Sequence, residues 1–255
     1  MSKAHEKLVA DQFGPRAKAY VESAVHSQGE DLAALAGIVE RAAPAHAVDL
    51  GAGGGHVSYL MAKYAKSVTA LDLSSEMLAA VAATAREKGL ANIATARGGA
   101  EKLPFDDAAF DFVASRFSAH HWRDFEQGLG EARRVAKAGS VAVFLDAFAP
   151  GSAMLDTHLQ AVELLRDGSH VRDYTVGEWL AALGRRGFAL RAFRSFRLRM
   201  DFPTWIARMR TPEDRANAIL SIQATAPAEV KQHFEIEADG SFMLDVMMAE
   251  TVAGL

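Results

Sequence analysis

The segment Asp49-Leu50-Gly51-Ala52-Gly53-Gly54-Gly55-His56 places a cluster of glycines between a short apolar run and a helix-like stretch. Glycines at such a junction permit a tight turn and let a ligand approach the backbone closely. A dinucleotide-binding loop would carry its third glycine at position 56, where His56 stands. The glycines run 51, 53 and 55 instead, with an acid two residues before the first. An Asp at the end of the strand is a poor neighbour for a pyrophosphate, which a helix N-terminus would otherwise favour, and a good one for a cation. Asp72 ends the next apolar run, 21 residues after Gly51. Its carboxylate can accept hydrogen bonds from both hydroxyls of a ribose. It is equally suited to the start of a helix capped by Ser74. Loop and acid at this spacing point together to a nucleoside site.

A second group of residues could move protons. His120 and His121 follow a fourth apolar run, where an open α/β sheet presents its ligand crevice. Imidazole titrates near neutral pH and suits a general base. The alternative is one histidine packed in the structure and one in solvent. The charged stretch 165–172 reads as a loop near the crevice mouth, with His170 or Arg172 as substrate contacts, or else as a solvated turn. His26 reads as a solvated or capping residue. Trp122, Trp179 and Trp205 are expected in the core or at an interface. No compact His/Asp/Glu cluster has ligand spacing, so no metal is expected.

These residues need a scaffold, and the order of elements describes one. Apolar runs at 47–50, 67–71, 93–96, 110–115 and 141–145 read as strands. Helical spacing at 32–43, 55–65, 74–88 and 125–136 separates them. That alternation predicts an α/β fold: a doubly wound, mostly parallel, seven-stranded sheet. Later, 155–166, 177–186, 204–210 and 212–223 read as helices. The segment 188–200 reads as a strand with one wet face, and 242–252 closes the sheet. Two late strands joined by a helical insertion predict an antiparallel edge.

Composition narrows the chemistry. The chain has 255 residues, half of them apolar, enough for one domain with a sizeable core. It contains no cysteine, which excludes disulfides, cysteine-ligated zinc or iron–sulfur clusters, and a thiol nucleophile. The net charge of −4 argues against a nucleic-acid partner. The N-terminus lacks a secretory pattern, and no apolar run has the length of a membrane span, so a cytoplasmic protein is expected.

The motifs resemble those of the class I S-adenosylmethionine-dependent methyltransferases, in the small-molecule branch similar to the ubiquinone and menaquinone biosynthesis enzymes. Asp49-x-Gly51-x-Gly53-x-Gly55 looks like that family's first motif, and Asp72 matches its ribose-binding acid. Gly98-Gly99-Ala100-Glu101-Lys102-Leu103-Pro104-Phe105 looks like its adenine-side motif. The resemblance covers residues 12–150 and implies S-adenosyl-L-methionine as cofactor and a small molecule as methyl acceptor. It implies cofactor contacts from Tyr20, Asp49, Gly51, Gly53, Gly55, Asp72, Leu73, Ala100, Glu101 and Arg116. Arg116 would meet the methionine carboxylate or line the cofactor with its backbone, or else form a surface ion pair. Phe13 and Tyr20 would belong to a lid over the methionine end, or to a plain amphipathic helix. His120 and His121 are the candidate bases.

Two departures stand out. The family's adenine-side motif carries an acid where Gly99 stands, so Glu101 is the candidate substitute. Its Pro-Gly-Gly turn reads Ala138-Gly139-Ser140 here, with no functional consequence expected. The nucleic-acid amino-methylating tetrad, with its paired prolines, is replaced by Ser115-Arg116-Phe117-Ser118. The resulting expectation is a single domain spanning 1–255, with a helical lid at 1–43, a cofactor core at 44–150 and a substrate-side region at 151–255. The competing readings are a nicotinamide-dependent oxidoreductase and a non-catalytic nucleoside-binding module.

Overall fold

A computed structural model describes residues 2–14 and 29–254. The chain forms helix α1 (Ser2–Phe13), helix α2 (Glu30–Ala42) and strand β1 (His46–Leu50). Then come α3 (His56–Met61), β2 (Ser67–Asp72), α4 (Ser75–Glu87), β3 (Ile93–Arg97) and β4 (Phe110–Arg116). A 3-10 turn (Ala119–His121) leads into α5 (Phe125–Val135) and β5 (Ala136–Ala147). The later half contains α6 (Ala153–Arg166), α7 (Val176–Arg185), β6 (Phe188–Met200), α8 (Phe202–Met209), α9 (Glu213–Thr225), α10 (Ala228–His233) and β7 (Phe242–Ala253).

The seven strands form one sheet in the order β3-β2-β1-β4-β5-β7-β6. The first five run parallel, and β7 runs against both β5 and β6. The expected antiparallel edge is therefore made by β7, inserted between β5 and β6. Alternation along the strands sends side chains to two cores. On β5, Val143, Leu145 and Ala147 enter one core, while Ala142 and Phe144 enter the other. The first is covered by α2, α6 and the α8–α10 insertion through Leu35, Leu159, Trp205 and Ile219; the second by α5 and α7 through Leu129 and Trp179.

Helix starts follow local chemistry. Ser74 caps α4 by accepting from the Met77 amide at 3.1 Å, as its position before the helix predicts. Asp124 accepts from the Gln127 amide to start α5, and Thr175 and Glu178 form a reciprocal capping box on α7. The expectation for β6 needs correction. One wet face holds only in the second half, where Phe196, Leu198 and Met200 pack on the core and Arg197 and Arg199 are exposed. From Ala189 to Ser195 every position is exposed or half-buried, because the strand lies at the open edge of the sheet.

Strand order reverses at β1, with β2 on one side and β4 on the other. In a doubly wound sheet the crevice beyond the carboxyl ends at such a point receives the ligand. Asp49, Asp72, Arg116 and Asp146 all stand at the carboxyl ends of their strands.

Candidate active site

Two cavities adjoin over this crevice. The larger, about 350 Å³, lies above β1 and β2. The smaller, about 70 Å³, lies beyond β4 and β5. Phe13, Phe117 and His121 line both.

The glycine loop forms the floor of the larger cavity. Gly51 has a φ of 75° and Gly53 a φ of 49°, the left-handed region that costs glycine little. The Gly51 and Ala52 amides donate to the Leu71 carbonyl at 3.0 and 2.8 Å, which ties the loop to β2. A Cβ on Gly51 would lie 1.9 Å from Ser118 Oγ, whereas one on Gly53 would meet nothing within 4 Å. Gly51 thus permits contact between the two loops, and Gly53 keeps the floor open. Gly55 differs from the expectation: it does not line the cavity. It precedes α3, where a side chain would collide with the Tyr59 ring at 2.7 Å.

Asp72 lines the cavity and is anchored at both oxygens. Oδ2 accepts from the Gly53 amide and Oδ1 from the Ser74 amide, each at 2.9 Å. Each oxygen retains a lone pair. Burial pushes the Asp72 pKa up, against these backbone hydrogen bonds. Asp49 is 1 % exposed and accepts from Ser58 Oγ at 2.7 Å. Burial raises its pKa to about 7, with the nearby Asp72 charge acting in the same direction.

Leu73, Ala100, Glu101, Trp122 and Arg116 complete the wall. Glu101 Oε1 accepts from the Arg123 amide at 2.8 Å. Its Oε2 lies 3.6 Å from where a Cβ of residue 99 would stand, close to the position of the missing family acid. The Glu6 carboxylate of α1 lies 3.7 Å from the same point. Arg116 is not in a surface ion pair: its Nε donates to Asp31 Oδ2 at 2.7 Å, with both side chains buried. Helix α1 covers the opening with His5, Glu6, Val9 and Phe13, and His5 Nε2 donates to the His121 carbonyl at 2.9 Å. Phe13 meets the His121 ring edge-on, at 5.0 Å between centroids. Tyr20 and His26 lie outside the described residues.

The two histidines occupy different environments although their ring centroids are 4.2 Å apart. His120 lines the smaller cavity, and its Nδ1 donates to Asp146 Oδ1 at 2.6 Å. Burial opposes the charged ring, but the Asp146 charge and hydrogen bond outweigh it and push the His120 pKa up to about 9. Burial and the neighbouring His120 charge push His121 down to about 4.

Asp146 is the partner that spacing did not reveal. It also accepts from the backbone amides of Ser118, Ala119 and Ala147. One signal was present: it is the charged residue that interrupts the most apolar strand. The absence of metal-ligand spacing likewise hid a three-dimensional group. His120, Asp146 and Asp173 offer ligand-type atoms within 4.8 Å of one another. With four donors on its two oxygens, Asp146 is already satisfied as the partner of a histidine.

His170 and Arg172 line neither cavity. His170 donates through Nε2 to Gln160 Oε1 at 2.9 Å, and burial pushes its pKa down to about 2. Arg172 pairs with Asp156 at 2.9 Å. The loop is no solvated turn either, since Asp167, Ser169, His170 and Asp173 are all buried. The stretch does supply Arg166 to the smaller cavity, and the neighbouring Asp173 lines it as well. All three tryptophans are buried in the core as expected, and Trp122 and Trp205 each also line a cavity.

Comparison with known proteins agrees with this architecture. The methyltransferase domain family matches residues 48–144. The chain is 42% identical to the uncharacterized protein YafE of Escherichia coli over 77% of this chain and 95% of that protein. It is 32% identical to the uncharacterized methyltransferase YcgJ of Bacillus subtilis over 87% of this chain and 88% of that one. The YcgJ crystal structure superposes with a TM-score of 0.83, covering 88% of this chain and 98% of that one. A demethylmenaquinone methyltransferase of Chlorobaculum tepidum is 38% identical over 42% of this chain and 43% of its own. The chain belongs to the methyltransferase domain family, and its seven-stranded sheet is that of the class I enzymes. The nicotinamide reading falls with that membership.

Proposed function

We propose that this methyltransferase uses S-adenosyl-L-methionine to methylate a small-molecule acceptor by in-line displacement. The observation that carries the reading is the meeting of Gly51, Gly53, Asp72 and Glu101 on one cavity of about 350 Å³. The size falls within the usual range for ligand pockets. Asp72 would hold the ribose hydroxyls with its remaining lone pairs, Glu101 the adenine amino group, and Asp49 the cationic methionine end. Arg116, held by Asp31, would face the methionine carboxylate.

The cofactor, when bound, supplies a methyl group made electrophilic by its sulfonium. The protein must hold the acceptor in line, exclude water and remove a proton where the nucleophile carries one. The adjoining cavity suits the acceptor, and Phe13 and Phe117 screen the junction. His120 is the proposed base. Its Nδ1 is committed to Asp146, which leaves Nε2 for the cavity that the ring lines. The limited space there and the net charge of −4 support a small acceptor over a nucleic acid.

The deciding experiment is calorimetric titration with S-adenosylhomocysteine, with NADH in parallel. Micromolar binding of the first alone is the expected result. NADH binding alone, or silence from both, would overturn the cofactor assignment.

A further inference from the structure

The smaller cavity contains a carboxylate that the proposed methyl transfer leaves unused. Asp173 lines the cavity, is 1 % exposed, and its Oδ2 has no hydrogen-bond partner among the described residues. The other charges on this wall are met. His120 is paired with Asp146 at 2.6 Å. Glu163 lies 3.6 Å from Arg166, whose guanidinium also stacks over the Trp205 ring at 4.7 Å. Arg208 stands on the same wall with contacts of its own. Facing these groups are the apolar side chains of Phe117, Met200, Trp205 and Leu244.

A buried carboxylate with no partner is costly unless a cation or a hydrogen-bond donor completes it. We propose that Asp173 forms a recognition subsite for a protonated amine carried by the methyl acceptor. An ammonium supplies both the missing charge and the missing donor, while its apolar portion rests on Trp205 and Leu244. Burial and the neighbouring Glu163 charge hold the Asp173 carboxyl well above its usual range, as expected of a site completed by its ligand. Asp156 and Asp146 add to that effect, and His120 opposes it. A divalent metal ion fits less well, because Asp146, the third member of the ligand-type group, already accepts four hydrogen bonds.

The subsite rests on the reading of the adjoining cavity as the cofactor site, and the test separates the two. Protein saturated with S-adenosylhomocysteine is titrated with benzylamine, benzyl alcohol and benzoate, which share a shape and differ in charge, and with manganese chloride alone. Benzylamine is expected to bind about tenfold or more tightly than the alcohol, and benzoate not at all. Asp173→Asn should bring the amine to within about twofold of the alcohol, with S-adenosylhomocysteine affinity unchanged as the check on folding. Equal binding of the three organic probes, silence from benzylamine, an unchanged preference in the variant, or manganese binding that displaces benzylamine would each overturn the subsite. Failure of S-adenosylhomocysteine to bind the unaltered protein would instead sink the cofactor reading.

Discussion

The two cavities share Phe13, Phe117 and His121, yet they are built by different means. The floor of the larger rests on short-range sequence: a loop of eight residues, an acid at the end of the next strand, and a turn after β3, with α1 and the segment after β4 closing it. The smaller is mostly side chains brought from afar. His120 follows β4, Asp146 ends β5, Glu163 belongs to α6, and Asp173 lies in the loop after it. Backbone geometry imposes residue types at fixed spacing, because a left-handed φ calls for glycine and a strand end fixes where a carboxylate projects. A side-chain wall imposes no spacing. The first construction suits a ligand shared by many enzymes and the second an acceptor that differs among them, and substitutions should separate the two.

The largest effect is expected on the side-chain wall. His120→Ala should lower turnover by about 10²–10⁴-fold in an assay of labelled methyl transfer to an acceptor found by screening, with S-adenosylhomocysteine affinity changed less than about threefold. A general base must be unprotonated. With its pKa pushed up to about 9, His120 should make turnover rise with pH through the neutral range and level off near pH 9. Asp146→Asn removes the charge that raises that pKa, so the profile should move to lower pH and its plateau should fall. A flat profile in the unaltered protein, or full turnover in His120→Ala, would remove His120 as the base.

Asp72→Ala tests the backbone-built cavity and should give the opposite pattern. The loss of two hydrogen-bond acceptors should weaken S-adenosylhomocysteine about 100-fold, while turnover at saturating cofactor stays within about threefold. The Gly53 and Ser74 amides also lose their partner, at a cost of about 1 kcal/mol of stability that a thermal melt would register. Unchanged affinity would show that the ribose is held elsewhere.

Asp49 gives the larger cavity a pH dependence of its own. Burial raises its pKa from the usual 3.8 to about 7, so between these values the folded chain holds a proton that the unfolded chain has released. Folded stability contributed by this group therefore falls as pH rises from about 4 to about 7. A ligand cation beside Asp49 favours the ionised form and offsets that loss. S-adenosylhomocysteine affinity should accordingly rise about tenfold between pH 5 and pH 8, and Asp49→Asn should flatten the slope. A slope that persists in the variant would assign it to another group.

The contrast also explains what could be read from residues in a row. Asp49, Gly51, Gly53, Asp72 and Glu101 were legible because each is tied to a strand end or a turn, and they do converge on one cavity. Gly55 misled because a positive φ serves packing as readily as ligand approach; here it makes room for Tyr59. His120 and His121 were legible as a pair but not as individuals, since their difference comes from Asp146, more than twenty positions away, and from each other. His170 and Arg172 stand out by residue type, yet Arg166 and Asp173 on either side of them are the residues that reach the cavity. The strands were legible from their apolar runs. The exposure of β6 was not, because it depends on where the strand lies in the sheet order.

The smallest expected effect probes the one place where the backbone-built cavity lacks its usual acid. At Gly99, Glu101 Oε2 and Glu6 Oε1 compete for the vacated space, at 3.6 and 3.7 Å from the missing Cβ. Glu101 is the better positioned, because the Arg123 amide holds its other oxygen, whereas Glu6 belongs to the covering helix. Glu101→Gln should weaken S-adenosylhomocysteine about fivefold, and Glu6→Gln less than about twofold. The same substitution should barely affect an analogue whose purine lacks the amino group, since the contact it removes is then absent. If Glu6→Gln has the larger effect, the adenine contact belongs to the lid. The rule that this cavity is set by residues at fixed positions beside the strand ends would then have its first exception.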